Sequence, residues 1–322
     1  MELNTINGFL NIHKPSGISS FDVIRVLRRL ILAGERPTKR LKFGHAGTLD
    51  PLADGVLVVA LGQATKLISY VQNQKKKYRG TFQLGFESDS EDTETELRPV
   101  LPADSANFPP SREALEAVLP EFTGTILQRP PLYSALKIDG KRAYRLARQG
   151  KEIELPAREI EIIRLKVAEY AFPKIVLEIE CGSGTYVRSL GRDLGRRLGS
   201  GMVMSALTRT AVGVFHLDKA LKLPPSLDEA PPEELPTREM LQDALQPLTA
   251  PLVNLQTVLY APENRRKLQT GIPVRFSNVH GSVGEKILVL DSETNTPLAI
   301  CQLGADGYLR SEIQFAPAPG LR

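Results

Sequence analysis

The chain has 322 residues, of which 42% are hydrophobic and 24% are charged, and its formal net charge is +4. This length exceeds what one small core needs and predicts a globular protein of two domains. The sequence pI of about 9.0 is only mildly basic. The distribution of the basic residues therefore says more than their total about contact with nucleic acid.

Cysteine usage and hydropathy both bear on the cellular compartment. Cys181 and Cys301 lie far apart and match neither a zinc-binding spacing nor a C-x-x-C motif, which is typical of a reduced protein without a disulfide framework. The N-terminus has no charged-then-apolar signal segment, and no apolar run reaches about eighteen residues, the length that spans a membrane. We expect a soluble cytoplasmic protein, and a monomer because no heptad or apolar interface stripe stands out.

The first predicted helix follows Lys14, which opens the string K-P-S-G-I-S-S. Ser19 and Asp22 have the spacing of a capping box, so the helix is expected to begin there. Seven basic residues and one acid lie between Arg25 and Lys42. This cluster fits a solvated face and a phosphate-binding patch about equally well.

A glycine-rich loop, GHAGTLDPLADG at 44–55, precedes the uncharged run VLVVALG at 56–62. The run predicts a fully buried strand. Pro51 biases Asp50 towards an extended backbone, and a rigid strand behind a shaped loop is a typical support for a reactive side chain. The same residues are compatible with an ordinary Asp-Pro turn, and His45 with a structural histidine.

Tyr78, Phe82 and Leu84 alternate at a period of two and predict a strand. Tyr78 in such a strand is usually a core aromatic, but its ring can stack on a pyrimidine and its hydroxyl can act as acid or base. The acids of segment 87–96 do not follow the order of a calcium loop. We therefore predict no metal site and assign these acids no role.

The most basic segment is 128–158, which holds eight Lys or Arg residues and three acids. Its prolines and glycines predict a long loop with one short helix that carries Arg142, Arg145 and Arg148. Basic residues interleaved with tyrosines suit contact with phosphates and unstacked bases.

A predicted strand at 174–181 ends in a glycine turn that leads into a helix. Phosphate-loop spacings are absent from this turn, which disfavours a nucleotide-cofactor site. Arg188 lies in the first turn of the helix, and Arg192 and Arg196 follow on the same face. For Arg192 and Arg196 we predict a solvated basic face.

The C-terminal third contains two segments of different amino-acid composition. Segment 222–250 is rich in proline, has six acids against two basic residues, and predicts a linker with one short helix. Beyond it, alternating segments predict a small β-barrel module, at 274–276, 286–290, 298–303 and 308–315. We therefore place one domain at 1–250 and a second at 251–322.

Several strings of the chain resemble motifs of the TruB family of tRNA pseudouridine synthases. They are K-P-x-G-x-x-S from Lys14, G-H-x-G-x-L-D-P-x-A-x-G around Asp50, K-x-Y-x-x-x-x-x-L-G around Tyr78, G-T-Y-x-R-S-L around Arg188 and L-x-R-x-x-x-G from Leu207. The similarity covers nearly all of 8–215 and, more weakly, the C-terminal module. It implies an α+β fold, in which a mixed, largely antiparallel sheet is flanked by helices and followed by a small barrel-like PUA domain.

The resemblance also implies roles for individual residues. Asp50 would be the catalytic nucleophile, Arg188 would pair with it, Tyr78 would stack on the target base, and Leu207 would pack near that base. His45 would hold the extruded nucleotide or fill the place it leaves. RNA contacts would come from the basic residues Lys14, Arg142, Arg145 and Arg148.

By resemblance the substrate is uridine 55 in the T arm of tRNA. Isomerisation of uridine to pseudouridine needs no redox or group-carrying cofactor, and the sequence offers none. The guide-RNA-dependent relatives lack most of the 128–158 insertion, so its presence favours an enzyme without guide RNA or protein partner. The alternative is a catalytically idle RNA-binding protein or RNA chaperone, which would not need Asp50, Tyr78 and Arg188 together.

Overall fold

The computed structural model describes residues 6–35, 41–100, 108–134, 137–138, 141–142, 155–226, 230–261, 265–276 and 279–315. Within these ranges the chain forms a large sheet, a four-stranded sheet, two small two-stranded sheets and six α-helices. No helix in the same ranges has the length and apolar character that crossing a membrane requires.

The strands and helices are numbered in chain order. The strands are β1 (Gly8–Lys14), β2 (Phe43–His45), β3 (Asp54–Leu61), β4 (Lys76–Leu84), β5 (Phe86–Glu87), β6 (Arg98–Pro99), β7 (Gly124–Gln128), β8 (Lys137–Ile138), β9 (Lys141–Arg142), β10 (Arg158–Ala171), β11 (Lys174–Cys181), β12 (Met202–Val212), β13 (Phe215–His216), β14 (Leu221–Lys222), β15 (Leu245–Gln246), β16 (Gln256–Tyr260), β17 (Lys286–Asp291), β18 (Pro297–Leu303) and β19 (Leu309–Gln314). The helices are α1 (Ser20–Leu32), α2 (Ile68–Gln72), α3 (Arg112–Val118), α4 (Val187–Arg197), α5 (Arg238–Asp243) and α6 (Arg265–Gln269).

The large sheet is mixed and largely antiparallel, which confirms that part of the expected fold. Its strand order is β14-β1-β3-β12-β4-β11-β10-β7, with β2 and β3, β13 and β12, and β15 and β1 also paired. The pairings of β1 with β14 and of β3 with β12 are parallel. Gly55 lies opposite Arg209 in the second of these, and a Cβ at Gly55 would stand 2.3 Å from the Arg209 carbonyl oxygen. Glycine at 55 therefore lets the strand that follows the Asp50 loop approach β12.

Helix α1 begins where the sequence predicts. Ser19 is its N-cap, and the reciprocal side-chain bonds of a capping box join Ser19 to Asp22. One face of the helix packs on the sheet through apolar residues, namely Val23, Val26, Leu27 and Ile31. Arg25, Arg28 and Arg29 are exposed on the outer face. The helix is thus fixed by its amphipathic pattern and its cap together.

Strand β3 is buried on both faces of the sheet, as its uncharged sequence predicts. Leu57 and Val59 contribute to a core on the side of α1 and α4. Val56 and Val58 contribute to a second core on the opposite side. The loop that precedes β3 is therefore attached to one of the most enclosed strands of the molecule.

The interpretation of 222–250 as a linker is wrong. The segment supplies β15, and its first residue ends β14, so both strands extend the β1 edge of the large sheet. Leu241 of α5 is buried in the core on the α1 side. The high content of proline and acidic residues is typical of a linker and gave no local sign of the few apolar residues, such as Leu223 and Leu241, that are buried here.

The C-terminal strands form a sheet in the order β16-β17-β18-β19, with β16 parallel to β17. Strand β16 was not predicted from the sequence. At 274–276, where a strand was expected, the structure has only an isolated bridge between Val274 and Leu309. The sheet has a core of its own. Leu288, Ile300 and Phe315 also join the second core of the large sheet, so the C-terminal strands pack directly on it.

Candidate active site

The loop that carries Asp50 is held from behind by the start of α1. Ser20 Oγ accepts from the Leu49 amide at 2.9 Å and donates to the Leu49 carbonyl oxygen at 3.0 Å. The Gly17 amide donates to the Pro51 carbonyl oxygen at 2.8 Å. Both backbone neighbours of Asp50 are therefore fixed, and its carboxylate remains partly exposed at 36%.

Arg188, in the first turn of α4, holds the Asp50 carboxylate. Its Nε lies 2.9 Å from Asp50 Oδ2. The rest of the guanidinium is committed elsewhere, since Nη1 donates to the Ser90 carbonyl oxygen at 2.8 Å and Nη2 to the Tyr133 carbonyl oxygen at 3.0 Å. The planar fork therefore presents a single N–H of fixed direction to Asp50.

A second carboxylate stands behind Arg188. Asp92 is 1% exposed, and its Oδ2 lies 3.6 Å from Arg188 Nη1. Its Oδ1 accepts from Ser90 Oγ at 2.5 Å and from the Glu94 amide at 3.0 Å. Arg188 is thus placed between one buried and one accessible acid. No role was predicted for Asp92, because the neighbouring residues in the sequence do not indicate that its loop folds back onto α4.

Arg192 is not on a solvated face, so that prediction is wrong. Its guanidinium pairs with Glu91 and bonds Asp193 at 2.8 Å. Glu91 also accepts from Ser189 Oγ at 2.6 Å, and burial raises the pKa of this carboxyl in spite of Arg192 beside it. Arg196 is exposed as predicted. We use the name paired wall for the set Asp50, Arg188, Asp92, Glu91 and Arg192.

Two further cations line the same cleft without a carboxylate partner among the described residues. Arg209 is 2% exposed and donates to the Val56 carbonyl oxygen at 2.7 Å and to the Gly47 carbonyl oxygen at 3.0 Å. Lys76, which is 7% exposed, donates to the Gln72 carbonyl oxygen, and burial lowers its pKa to about 8. We use the name unpaired wall for Lys76 and Arg209.

A cleft of about 540 Å³ is lined by Asp50 and Arg188 of the paired wall and by both residues of the unpaired wall, whereas Asp92, Glu91 and Arg192 do not line it. Asp50, Tyr78, Arg188 and Leu207 all line it, so the structure brings these four sequence-predicted residues together. The remaining lining comes mainly from the loop at 47–49 and the glycine turn at 182–186. Burial raises the pKa of the Tyr78 phenol, and the neighbouring Arg209 acts in the opposite direction. The cleft thus combines an aromatic face, an apolar side chain and a fixed carboxylate.

His45 lies in β2, outside the set of residues that line the cleft. Burial, and secondarily the charge of Arg209, lowers the pKa of its imidazole. The ring is therefore neutral near pH 7. Its proposed contact with an extruded nucleotide is left as a prediction.

The assignment of Lys14 as an RNA-binding residue is corrected by the structure. Lys14 is fully buried, and its ammonium donates to the carbonyl oxygens of Pro15 at 2.8 Å, Ile18 at 2.7 Å and Pro51 at 3.4 Å. Burial lowers its pKa to about 8. The ammonium therefore ties β1 to the Asp50 loop and has no exposed surface with which to meet a phosphate.

The basic insertion is only partly described. Arg142 ends β9, which pairs with β8. Arg145 and Arg148, with the short helix predicted between 142 and 148, lie outside the described residues. In the part of the chain that is described, no three His, Cys, Asp or Glu side chains cluster as a metal site.

Comparison with known proteins identifies the family. Residues 35–187 match the TruB family pseudouridylate synthase N-terminal domain. A tRNA pseudouridine synthase B from Dehalococcoides mccartyi is 38% identical over 302 residues, which cover 94% of this chain and 94% of the relative. Another from Brucella ovis is 46% identical over 213 residues, or 65% of this chain and 61% of the relative.

Solved structures show the same fold. The structure of an H/ACA RNP bound to a substrate RNA containing 2′-deoxyuridine aligns with a TM-score of 0.69 at 20% identity, over 99% of this chain and 87% of that chain. A Cbf5-Nop10-Gar1 complex aligns with a TM-score of 0.68 at 22% identity, over 100% of this chain and 88% of that chain. At these identities the structural likeness shows the fold, and the sequence relatives show the family. The chain belongs to the TruB family of pseudouridylate synthases, which are isomerases.

Proposed function

We propose that this protein converts uridine 55 in the T arm of tRNA to pseudouridine, with Asp50 as the nucleophile. The observation that carries the proposal is the ion pair of Arg188 with Asp50 at the wall of a cleft that Tyr78 and Leu207 also line. The tRNA substrate follows from the names of the relatives, each a tRNA pseudouridine synthase B. The position of the target follows from the motif resemblance.

The chemistry requires that one base leave its stack. A flipped uridine enters the cleft, its ring stacks on Tyr78, and Leu207 covers an apolar part of the ring. The Asp50 carboxylate then attacks either C6 of the base or C1′ of the ribose. Arg188 directs this carboxylate, because its Nε donates to Asp50 Oδ2 at 2.9 Å from a guanidinium of fixed orientation. The Tyr78 phenol is the candidate for the proton transfer that ends the reaction.

Contacts outside the cleft offset the cost of base extrusion, a few kcal/mol. We assign them to the basic insertion at 128–158, including Arg142, Arg145 and Arg148, and to His45 near the extruded nucleotide. The C-terminal residues 251–322 are proposed to form a PUA-type RNA-binding domain, which the four-stranded sheet and its separate core support. The insertion also supports activity without a guide RNA or a protein partner.

The test uses the purified chain alone with a T-arm transcript. Carbodiimide treatment followed by primer extension locates pseudouridine, and we expect one stop, at position 55. A matched transcript with cytidine at position 55 should give none. Absence of product from the wild-type chain, or product at another uridine only, would contradict the proposal.

A further inference from the structure

Lys76 and Tyr78 lie side by side on one face of β4. They are two residues apart in a strand, so their side chains point the same way and stand about 6.5 Å apart along it. Both line the cleft. A pyrimidine stacked on the Tyr78 ring would therefore have the Lys76 ammonium near its edge.

No described carboxylate compensates the burial of Lys76, and the nearby Cys181 is a thiol whose pKa burial raises to about 11. The side chain is 7% exposed, no described carboxylate pairs with it, and the nearby charge of Arg209 has the same sign. An ammonium has three N–H donors, and among the described residues the Gln72 carbonyl oxygen accepts one of them. Burying a cation in this way is costly, so the arrangement suggests that its partner arrives with the substrate.

The reaction supplies such a partner by either route open to Asp50. Addition of the carboxylate to C6 moves the C5–C6 electron pair into the ring and produces an enolate at O4. Attack at C1′ breaks the N1–C1′ bond, and its electron pair leaves with the base as a uracil anion, delocalised over N1, O2 and O4. In both cases negative charge develops on a ring carbonyl, and no further reactant is needed.

We propose that Lys76 is a catalytic residue whose ammonium donates to a carbonyl oxygen of the target uracil and stabilises the negative charge that develops there. This inference rests on the proposed function. Arg209, buried beside Lys76, adds positive potential to the same part of the cleft, while its guanidinium donates to the backbone carbonyl oxygens of Val56 and Gly47 and contacts the Tyr78 phenol. Fixed positive groups aimed at developing charge are among the largest contributors to enzymatic rate.

The same contact would discriminate between pyrimidines. Uracil presents a carbonyl oxygen at C4, which accepts a hydrogen bond from an ammonium. Cytosine presents an amino group there, so two hydrogen-bond donors, this amino group and the Lys76 ammonium, would face each other. Lys76 therefore acts on base identity as well as on rate if O4 is the atom it meets.

The test replaces Lys76 by Met, which preserves length and removes charge. The rate constant for pseudouridine formation under single-turnover conditions should fall by about 10²-fold. The melting temperature should stay the same or rise, because an uncompensated buried cation has been removed. The control is Lys77→Met, a lysine on the opposite face of β4 that is 55% exposed, and its rate should match that of the wild type.

Two results would overturn the proposal. One is a Lys76→Met rate close to that of the wild type, and the other is a rate loss accompanied by a lower melting temperature, which would assign Lys76 a structural role. Inactivity of the wild-type chain on the T-arm transcript would instead refute the proposed function itself. Wild-type activity is therefore measured first in the same assay.

Discussion

The two walls of the cleft handle buried charge in opposite ways. In the paired wall, Arg188 and Arg192 each meet carboxylates, at 2.9 Å in the case of Asp50. In the unpaired wall, Lys76 and Arg209 meet no carboxylate among the described residues: they donate to backbone carbonyl oxygens, and Arg209 also contacts the Tyr78 phenol. Arg188 and Lys76 are buried to a similar degree, at 5% and 7% exposed, so burial alone does not explain the difference.

This contrast separates two uses of charge. Ion pairs in the paired wall fix the direction of one reactive carboxylate, and each partner offsets the desolvation of the other. Cations in the unpaired wall keep their charge available in a place from which water is largely excluded, where an electrostatic interaction is strongest. The first arrangement stabilises the folded protein, whereas the second stabilises a charge that exists only during the reaction.

The largest effect is expected from breaking the paired wall at Arg188. Arg188→Lys retains the charge but loses the fork that reaches Asp50, Ser90 and Tyr133 together. We expect the single-turnover rate to fall by about 10³-fold, comparable to the loss of a key electrostatic contact. Arg196→Lys, an exposed change on the same helix, is the control and should match the wild type. Equal single-turnover rates for Arg188→Lys and Arg196→Lys would contradict a role of Arg188 in the reaction.

A smaller effect is expected at Asp92, and it should appear in stability as well as rate. Asp92→Asn would place an amide donor opposite Arg188 Nη1, where Asp92 Oδ2 now lies at 3.6 Å. Loss of a buried ionic partner should lower the free energy of unfolding by about 3 kcal/mol. Urea unfolding measures this change, with Asp89→Asn, on a 63% exposed side chain of the same segment, as the control. Lys76→Met should not lower the free energy of unfolding. A similar loss of stability in Asp92→Asn and Lys76→Met would contradict the proposed difference between the two walls.

The sequence predicts most of what is local in this molecule. The capping box of α1, the alternation of β4, the uncharged run of β3 and the turn before α4 depend on neighbouring residues, and the structure contains each of them. Motif spacing also brought the four cleft residues into the prediction, although the separate motifs could not show how they meet.

The missed features depend on contacts between distant parts of the chain. Arg188 bonds the Ser90 carbonyl oxygen across 98 positions, so no window of sequence indicates that the acids after Ser88 belong to the site. Lys14 was expected to contact RNA, whereas three backbone carbonyl oxygens hold its ammonium inside the protein. The sequence alone likewise gave no sign that Lys76 lacks a counter-charge.

The unpaired wall also predicts a dependence of stability on pH. The Lys76 pKa is lowered to about 8 from its ordinary 10.5. Between these values the unfolded chain binds more protons than the folded chain, so wild-type stability should rise with pH as far as other groups allow. Lys76→Met lacks this contribution, and its stability relative to the wild type should therefore decrease from about pH 8 to 10.5. Lys14 is present in both proteins, so its contribution to the pH dependence cancels in the comparison. A difference in the free energy of unfolding that stays constant from about pH 8 to 10.5 would contradict the burial of a charged Lys76.

The most direct test of the central claim is the Asp50→Asn variant, measured for both RNA affinity and pseudouridine formation in the T-arm transcript. Asp54→Asn, four residues further along the chain at the start of β3, is the matched control. The account predicts that Asp50→Asn binds the transcript about as well as the wild type and forms no pseudouridine, while Asp54→Asn forms it. Pseudouridine formation by Asp50→Asn at the wild-type rate would contradict the assignment of Asp50 as the nucleophile.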